Sequence, residues 1–347
     1  MLESHYVSNC DPIASMLWSN LVQQMDHTNL AQVPQWHTAI QQAYRHTPLY
    51  LQAEDAAGQQ AILPAFVIRR QLFGTVVTSM PFLDAGGPCG SSPKLLHKLV
   101  SHLLLEASHA GAGCVELRCT VPLDLPVKPF GDKVNMVLPL PAEPGQLWAR
   151  FDAKVRNQIR KAERSGLSVE FAQADNLDEF YNIFAQNMRD LGSPVHARGF
   201  FQAILDAFGD KAMLVLVRKR EQAIGGLFAL SFKDSLIVPW ASSLRQFFSL
   251  CPNMLLYWET LRRASLQGFR RFEFGRSSRD AGTYRFKRQW GAIEEPLFWY
   301  NIPLGRQQSQ RLSGTDNRII FFSRFWQKLP LRFTEWVGPR IRKYLTQ

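Results

Sequence analysis

The residue types best suited to chemistry lie in one block, FEFGRSS at 272–278, followed by GTYRFKRQWG at 282–291. This pattern predicts an apolar strand that ends at Gly275, a loop that contains Arg276, and a short helix that carries Lys287. Strand ends that run into glycine and polar loops are where α/β folds build ligand sites. A lysine and an arginine brought together there suit an anionic substrate or a developing oxyanion. The alternative is a buried strand followed by a helix whose basic residues are solvated surface charges.

A second basic cluster lies on a helix predicted over 147–165. Apolar residues recur every three to four positions along it and are expected to face the core. A parallel stripe contains Arg156, Arg160 and Arg164, with Lys154 beside it. Such a stripe can bind phosphates of a nucleotide-linked precursor or of tRNA. Because Glu163 is the only acid among residues 154–164, intrahelical pairing explains little of the stripe. A solvated helix face is the alternative.

The third cluster lies near the C-terminal end of a chain whose net charge is +11. Nine lysines and arginines stand between 306 and 347 against two acids, interleaved with phenylalanine and tryptophan. This composition fits a pair of interfacial helices over 318–343 on an anionic membrane. It also fits a nucleic-acid contact. The third interpretation is a helix docked on the core with its aromatic residues buried.

The elements that must position these clusters follow a repeated order. In the N-terminal half we expect a helix at 33–45, strands at 48–53, 61–70 and 74–80, a helix at 93–109 and a strand at 115–119. Pro64 inside the second of these strands predicts an interrupted or edge strand. A strand at 133–140 precedes the second basic cluster. Beyond that cluster we expect two helices at 177–191 and 197–208, three strands within 212–241 and a helix at 252–267. The FEFG strand at 272–275, the lysine helix at 282–291 and a last strand at 296–302 follow. With 347 residues, this order predicts a mixed α/β protein of two domains.

Three ordered blocks, in register over roughly residues 35–304, resemble the FemAB-like transferases linked to exosortase and PEP-CTERM systems. FEFGRSS with GTYRFKRQWGA is similar to the C-terminal signature of that family, although Glu273 stands where the usual motif has aspartate. SMPFLDAGGP at 79–88 resembles its N-terminal block. KVRNQIRKA at 154–162 resembles the basic helix shared among Fem proteins. The resemblance implies an α/β (α+β) architecture of tandem GNAT-like domains at 1–140 and 141–304, each a mixed sheet flanked by helices. A basic, aromatic helical tail at 305–347 would follow.

The resemblance also implies a reaction in which an amine attacks an activated carbonyl. Such a reaction needs an oxyanion stabiliser and positioning groups. Lys287 is the expected cation near the tetrahedral oxygen, and Arg276 the expected clamp for an anionic acceptor group. Glu273 is expected as a base or as a partner of Arg276, and Tyr284 as an orienting group. Further substrate contacts are expected from Trp240, Asn253, Lys154, Arg156, Asn157, Arg160, Asp84 and Gly87.

The donor is expected to be aminoacyl-tRNA or acyl-CoA. CoA-binding GNAT domains hold the pyrophosphate on the N–H groups of a glycine-containing turn before a helix. The equivalent segment here, 241–253, has no glycine, and Phe247 and Phe248 would hinder a close backbone approach. This favours aminoacyl-tRNA. The resemblance implies that the acceptor is an amine of a cell-envelope, exopolysaccharide or peptidoglycan-type precursor. The alternatives are an acyl-CoA-dependent N-acetyltransferase and a non-catalytic precursor-binding protein at the membrane surface.

No bound cofactor is expected beside the acyl donor. A metal site is not expected either, because the five cysteines include no C-x-x-C pair and the histidines lack ligand spacing. No apolar run approaches the roughly 20 residues of a membrane helix. The first residues also lack the pattern of a signal peptide. The expected location is therefore the cytoplasm, with peripheral contact at the inner membrane through 318–343.

Overall fold

The computed structural model describes residues 6–25, 27–70, 74–131, 133–172, 174–279, 281–305 and 317–346. The chain divides into two compact units. The first comprises Met1–Asp132, Pro296–Arg311 and Lys343–Gln347; the second comprises Lys133–Glu295 and Leu312–Arg342.

The elements up to residue 119 are strands and helices of the first unit. They are β1 (Tyr6–Asn9), α1 (Met16–Gln24), α2 (Gln35–Tyr44), β2 (Thr47–Glu54), β3 (Gln60–Arg70), β4 (Gly74–Thr78), β5 (Cys89–Gly90), α3 (Pro93–His109) and β6 (Ala112–Cys119).

The remaining elements begin at residue 133, and all but β14 lie wholly or mainly in the second unit. They are β7 (Lys133–Pro139), α4 (Pro144–Arg150), α5 (Ala153–Arg164), β8 (Leu167–Ala172), α6 (Leu177–Asp190), α7 (Arg198–Phe208), β9 (Ala212–Lys219), β10 (Gln222–Phe232), β11 (Ser235–Ser243), α8 (Pro252–Leu266), β12 (Arg271–Ser278), α9 (Gly282–Arg288), β13 (Ile293–Pro296), β14 (Phe298–Pro303), α10 (Asn317–Trp326) and α11 (Leu331–Arg342).

The first unit is built on a mixed sheet of order β1-β2-β3-β4-β6-β14, with β5 paired to β3. Helix α3 buries Leu95, Leu99 and Leu103 against this sheet. These leucines recur every four residues, so they lie on one face of the helix and form the core that the sequence predicted.

Pro64 lies inside β3, a central strand, and not at an edge as expected. Strand β5 pairs with Ala61 and Ile62, whereas β4 pairs with β3 only from Phe66 onward. On that side of β3, Pro64 therefore falls in the gap between two partners. A proline is tolerated there because no ladder hydrogen bond needs its missing N–H group.

The second unit is built on a mixed sheet of order β13-β7-β12-β11-β10-β9-β8. Helices α5 and α8 pack together, and α6 contacts β10 and β11. The core draws on both β7 and the FEFG strand, which pair antiparallel from Arg271↔Pro139 to Ser278↔Lys133. Two mixed sheets flanked by helices confirm the predicted fold class.

The boundaries of the units differ from the predicted ones. Strand β7, expected to close the first domain, instead pairs with β12 and belongs to the second sheet. Strand β14, expected at the end of the second domain, pairs with β6 in the first sheet. The segment 305–347 is likewise divided between the two units. Residues 306–316, near the start of the predicted tail and ahead of α10, lie outside the described residues.

In the part of the chain that the structure describes, no helix combines the length and apolar character needed to cross a bilayer. Within the same ranges, no group of histidine, cysteine and acidic side chains is arranged to hold a metal ion.

Candidate functional site

The centre of the candidate site is the place where two parallel strands separate. Strands β11 and β12 are paired in parallel from Ser235↔Arg271 to Ile237↔Glu273. After Ile237, β11 forms a β-bulge in its pairing with β10. The register shifts between Leu230↔Ile237 and Phe228↔Trp240, so that β11 has one residue more than β10 in this interval. Pro239 stands in this bulge and has no N–H to donate. Carboxyl ends of diverging parallel strands are where open α/β sheets bind ligands.

Strand β12 bulges just after the same level. Its register against β7 shifts between Glu273↔Val137 and Arg276↔Asn135, so one extra residue is accommodated. Gly275 supplies it with a φ of +74°, a left-handed conformation that side chains disfavour. The strand was predicted to end at Gly275. That prediction was wrong because the glycine makes a bulge, after which pairing resumes and continues to Ser278.

Lys287 braces the β12 bulge from helix α9. Its ammonium donates hydrogen bonds to the carbonyl oxygens of Gly275 and Arg276, both at 2.8 Å. The side chain is buried although it is charged. Buried ammonium groups persist only where they are hydrogen-bonded. Lys287 therefore places a desolvated positive charge at the strand end and holds the bulge in shape.

Glu273 lies one residue before the bulge region and is half-buried. Its carboxylate accepts a hydrogen bond from Asn135 Nδ2 at 3.0 Å and lies 3.7 Å from the guanidinium of Arg271. The sequence analysis named Arg276 as the partner of Glu273 and neither of these two residues. Asn135 was not expected because it comes from β7, which was assigned to the other domain. A carboxylate held in this way is suited to orienting its neighbours.

Tyr284 on α9 donates its hydroxyl hydrogen to Glu294 on β13. Arg279 Nε donates to the other carboxylate oxygen of Glu294 at 2.8 Å. The hydrogen bond from Tyr284, and then that from Arg279, lowers the pKa of Glu294. The hydrogen bond to Glu294 raises the pKa of Tyr284. The tyrosine therefore keeps its proton at neutral pH and can orient a polar group but not act as a base.

Sequence reasoning missed Glu294. Its only signal was an acidic pair, Glu294-Glu295, following a strongly basic helix.

Polar side chains tie the end of β11 to α8. Asn253 Oδ1 accepts a hydrogen bond from Ser243 Oγ at 2.5 Å. The neighbouring Ser242 Oγ accepts from Asn187 Nδ2 on α6 at 2.9 Å. Asn253, predicted to contact substrate, thus fixes the first turn of α8 beside the separated strands. The two serines were not predicted, although a serine pair at a strand end is a polar signal.

The turn that leads into α8 is a short 3₁₀ segment, Arg245–Leu250, followed by Cys251 with a φ of +60°. Three backbone N–H groups in this turn and in the first turn of α8 already have carbonyl partners. Phe247 N–H donates to Leu244 O, Cys251 N–H to Phe248 O, and Met254 N–H to Cys251 O. The side chain of Phe248 is 48% exposed. A phosphate would therefore meet a projecting ring and three N–H groups that already have partners.

Trp240 lies in the core and not in the floor of an open pocket as predicted. Its ring packs edge-on against Phe200, Phe201 and Phe228, and only 8% of the residue is exposed. Side chains alternate between the faces of a strand, so Trp240 points towards α7.

The basic cluster on α5 is organised differently from the single helix that was predicted. The helix breaks at Phe151, whose backbone is extended, so that α4 and α5 are separate. Arg156 folds back and donates to Phe151 O at 2.5 Å. Arg160 is exposed and lies 5.6 Å from the ring centre of Trp148.

The outward part of α5 is a basic surface of the second unit. Lys154, Asn157, Arg160, Lys161 and Arg164 are exposed on this helix, with one exposed acid, Glu163, among them. Within the described ranges no ion pair involves any of its four basic residues. Unneutralised cations on one helix face suit a polyanion.

Asp84 and Gly87 belong to the first unit, whereas the other ten predicted site residues belong to the second. The carbonyl of Asp84 accepts a hydrogen bond from Trp299 Nε1 at 3.0 Å. Gly87 donates to Arg118 O at 2.7 Å, and a Cβ there would lie 2.5 Å from Cys119 Sγ. Gly87 is therefore required for close packing.

Comparison with known proteins supports this description of the second unit. Residues 149–288 match the acetyltransferase (GNAT) domain family. The matched segment contains α5, the separated strands and α9, so the chain carries an acyltransferase domain of the GNAT type. No curated protein matches the chain by sequence.

Solved structures show the same fold over most of the chain. FemX aligns with a TM-score of 0.67 at 14% identity, covering 86% of this chain and 97% of FemX. The C-terminal domain of a putative lysylphosphatidylglycerol synthetase from Agrobacterium fabrum aligns with a TM-score of 0.56 at 12% identity, covering 83% and 91%. A tandem GNAT protein from the clavulanic acid biosynthesis pathway aligns with a TM-score of 0.54 at 8% identity, covering 88% and 100%. The predicted tandem GNAT-like architecture is confirmed.

Proposed function

We propose that the chain is an aminoacyltransferase that uses aminoacyl-tRNA as donor. The acceptor is an amine on an anionic cell-envelope or exopolysaccharide precursor, in a system of the exosortase/PEP-CTERM type, at the cytoplasmic face of the inner membrane. The amine attacks the ester carbonyl, a C–N bond forms, the C–O bond to the tRNA ribose breaks, and the amine proton passes to the leaving hydroxyl.

The observation that carries this proposal is the turn before α8. An acyl-CoA enzyme would present free backbone N–H groups to the pyrophosphate there. In this chain the N–H groups of Phe247, Cys251 and Met254 are hydrogen-bonded within the turn, and Phe248 projects from it. A donor that is held elsewhere on the unit fits this turn better than CoA.

The outward face of α5 offers such a place. Lys154, Arg160, Lys161 and Arg164 present four exposed cations without ion-pair partners among the described residues. Helix α5 packs on α8, which connects the two strands that separate. A polyanion bound along α5 would therefore have its donor end in the same unit as the β12 bulge.

The β12 bulge provides the groups for the reaction itself. Lys287 puts a buried cation at the bulge and keeps its backbone in a fixed shape, which lowers the cost of stabilising a developing oxyanion. Arg276, in the bulge, would clamp an anionic group of the acceptor. Tyr284, whose hydroxyl hydrogen is donated to Glu294, would orient the acceptor by accepting a hydrogen bond on its hydroxyl oxygen.

A second candidate is an acyl-CoA-dependent N-acyltransferase. The match of residues 149–288 to an acetyltransferase domain favours it. Under this alternative the pyrophosphate would have to displace the internal hydrogen bonds of the α8 turn.

The test compares binding of charged tRNA, uncharged tRNA and acetyl-CoA to the purified chain over a salt series. Any basic protein binds tRNA at low salt, so the expected result is a preference for charged tRNA that persists at high salt. Saturable acetyl-CoA binding without such a preference would contradict the proposal and favour the second candidate.

A matched pair of variants locates the tRNA surface. Arg160→Glu/Arg164→Glu should weaken tRNA binding and reduce the slope of log affinity against log salt by roughly 1–2, because about two phosphate contacts are lost. Lys94→Glu/Lys211→Glu changes the net charge equally at exposed sites elsewhere and should leave the slope near wild type. Equal effects of both variants would mean that α5 is not the binding face.

A further inference from the structure

Helices α10 and α11 present their large apolar side chains outward. Among the side chains of these helices that the structure describes, the buried residues are Trp326 and Thr334, each 2% exposed, and Gly338. Their outward residues include Phe321, Phe325, Phe333 and Trp336, exposed by 74%, 55%, 43% and 59%. An ordinary surface helix shows the opposite arrangement. Exposed aromatic residues concentrated on two successive helices in this way mark an interaction surface.

The two helices are held on the second unit by close contacts with the segment that follows α6. Ser323 lies against Gly192, whose φ of +74° and lack of Cβ allow the approach. A Cβ on Gly338 would lie only 3.1 Å from Val195. Arg342 Nε donates to the buried His196 at 3.0 Å. The aromatic residues are therefore turned outward by a specific packing arrangement.

Cations accompany these rings. Arg324, Lys328, Arg332 and Arg340 are exposed on the same two helices or between them. Arg340 lies 4.6 Å from the ring centre of Trp336. The sequence from 317 to 346 contains one acid, Glu335, against seven lysines and arginines. We call the four exposed rings and these four cations the outward tail face.

We propose that the outward tail face binds the surface of an anionic lipid bilayer, with its rings at the level of the headgroups and its cations on lipid phosphates. Large apolar rings combined with an excess of cations over acids are the composition of interfacial helices. A second copy of the chain is a poorer occupant, because a two-fold contact would bring the same basic patches together. The proposal rests on exposure and charge alone and does not depend on the transferred group or the acceptor.

The experiment is co-sedimentation of the full chain with vesicles of phosphatidylcholine alone and of phosphatidylcholine with phosphatidylglycerol. We expect binding to the anionic vesicles that weakens with salt. Phe321→Ser/Phe325→Ser/Trp336→Ser should reduce that partitioning by at least tenfold without loss of folding, since all three side chains are exposed. The matched control, Ile13→Ser/Leu105→Ser/Leu266→Ser, removes similarly exposed apolar side chains elsewhere and should bind as wild type.

Arg324→Gln/Lys328→Gln tests the electrostatic part. Each cation near an anionic bilayer is worth about a fivefold change in partitioning, so the pair should cost roughly 25-fold on anionic vesicles and little on neutral ones. The proposal is overturned if wild type binds neither vesicle, or if the triple serine variant binds anionic vesicles as well as its control. Two other results of the triple serine variant, each with vesicle binding unchanged, would also overturn it. One is loss of self-association in sedimentation, and the other is loss of binding to a mixed-sequence single-stranded oligonucleotide.

Discussion

Replacing Lys287 by methionine should destabilise the second unit through the β12 bulge. The variant keeps the length and most of the apolar stem but removes the ammonium that donates to Gly275 O and Arg276 O. Each carbonyl left without its charged donor costs about 1–2 kcal/mol in this half-buried setting. Two carbonyls give roughly 2–4 kcal/mol, and the Tm of that unit should fall by on the order of 5–15 °C.

Denaturant titration followed by near-ultraviolet circular dichroism measures the change in the free energy of unfolding. Lys287→Arg keeps a charged donor and should lose about half as much. Arg285→Met, which removes an exposed cation from the same helix, should stay within about 0.5 kcal/mol of wild type. If Lys287→Met were as stable as Arg285→Met, the brace argument would be refuted. Lost turnover in such a stable variant would then assign Lys287 directly to substrate.

Two further predictions concern the first unit. Gly87→Ala should lower its free energy of unfolding by roughly 1–3 kcal/mol, because the new methyl group would lie 2.5 Å from Cys119 Sγ. Gly113→Ala, which meets open space, should change it by under about 0.5 kcal/mol in the same denaturant titration, and equal losses would contradict the packing argument. For His46, burial lowers the pKa from 6.5 to about 4, so the unfolded imidazole takes up its proton first and stability falls as pH drops from about 6.5 to 4. His46→Gln should flatten that slope, measured by urea titration at several pH values; an unchanged slope would exclude His46 as its source.

Periodicity predicted the regular elements well. Helix α3 has the predicted bounds, and the strands between 212 and 243 begin and end within two residues of expectation, because long apolar patterns dominate local structure. The predicted strand boundaries were wrong where a residue type is compatible with two backbone arrangements. Gly275 can end a strand or make a bulge in it, and Pro64 can break a strand or sit where a neighbour is missing. Only the partner strand decides between these outcomes.

The sequence predicted which residues lie at the candidate site better than it predicted their hydrogen-bond partners. The sequence placed Lys287, Arg276 and Tyr284 in one block, and the structure assembles that block around the bulge. The partners of Lys287 are backbone carbonyls, which no side-chain pattern reveals. Glu273 meets Asn135 over a separation of 138 residues, a pairing that depends on the sheet order. Trp240 was misassigned because strand position alone does not say which face a bulged strand presents.

The crossing of β14 into the first sheet has a consequence for how the chain folds as it is made. The strands of the second sheet all lie between residues 133 and 296. In the first sheet, every strand but one ends by residue 119, and the last, β14 at 298–303, pairs with β6. During synthesis β6 therefore keeps a bare edge from residue 119 until β14 emerges, by which time nearly all of the second sheet has been made. The first unit cannot complete its sheet early, as an N-terminal domain that folds in chain order does. Exposed strand edges recruit other strands, so the interval before β14 emerges is when this protein is most open to mispairing and to chaperone capture.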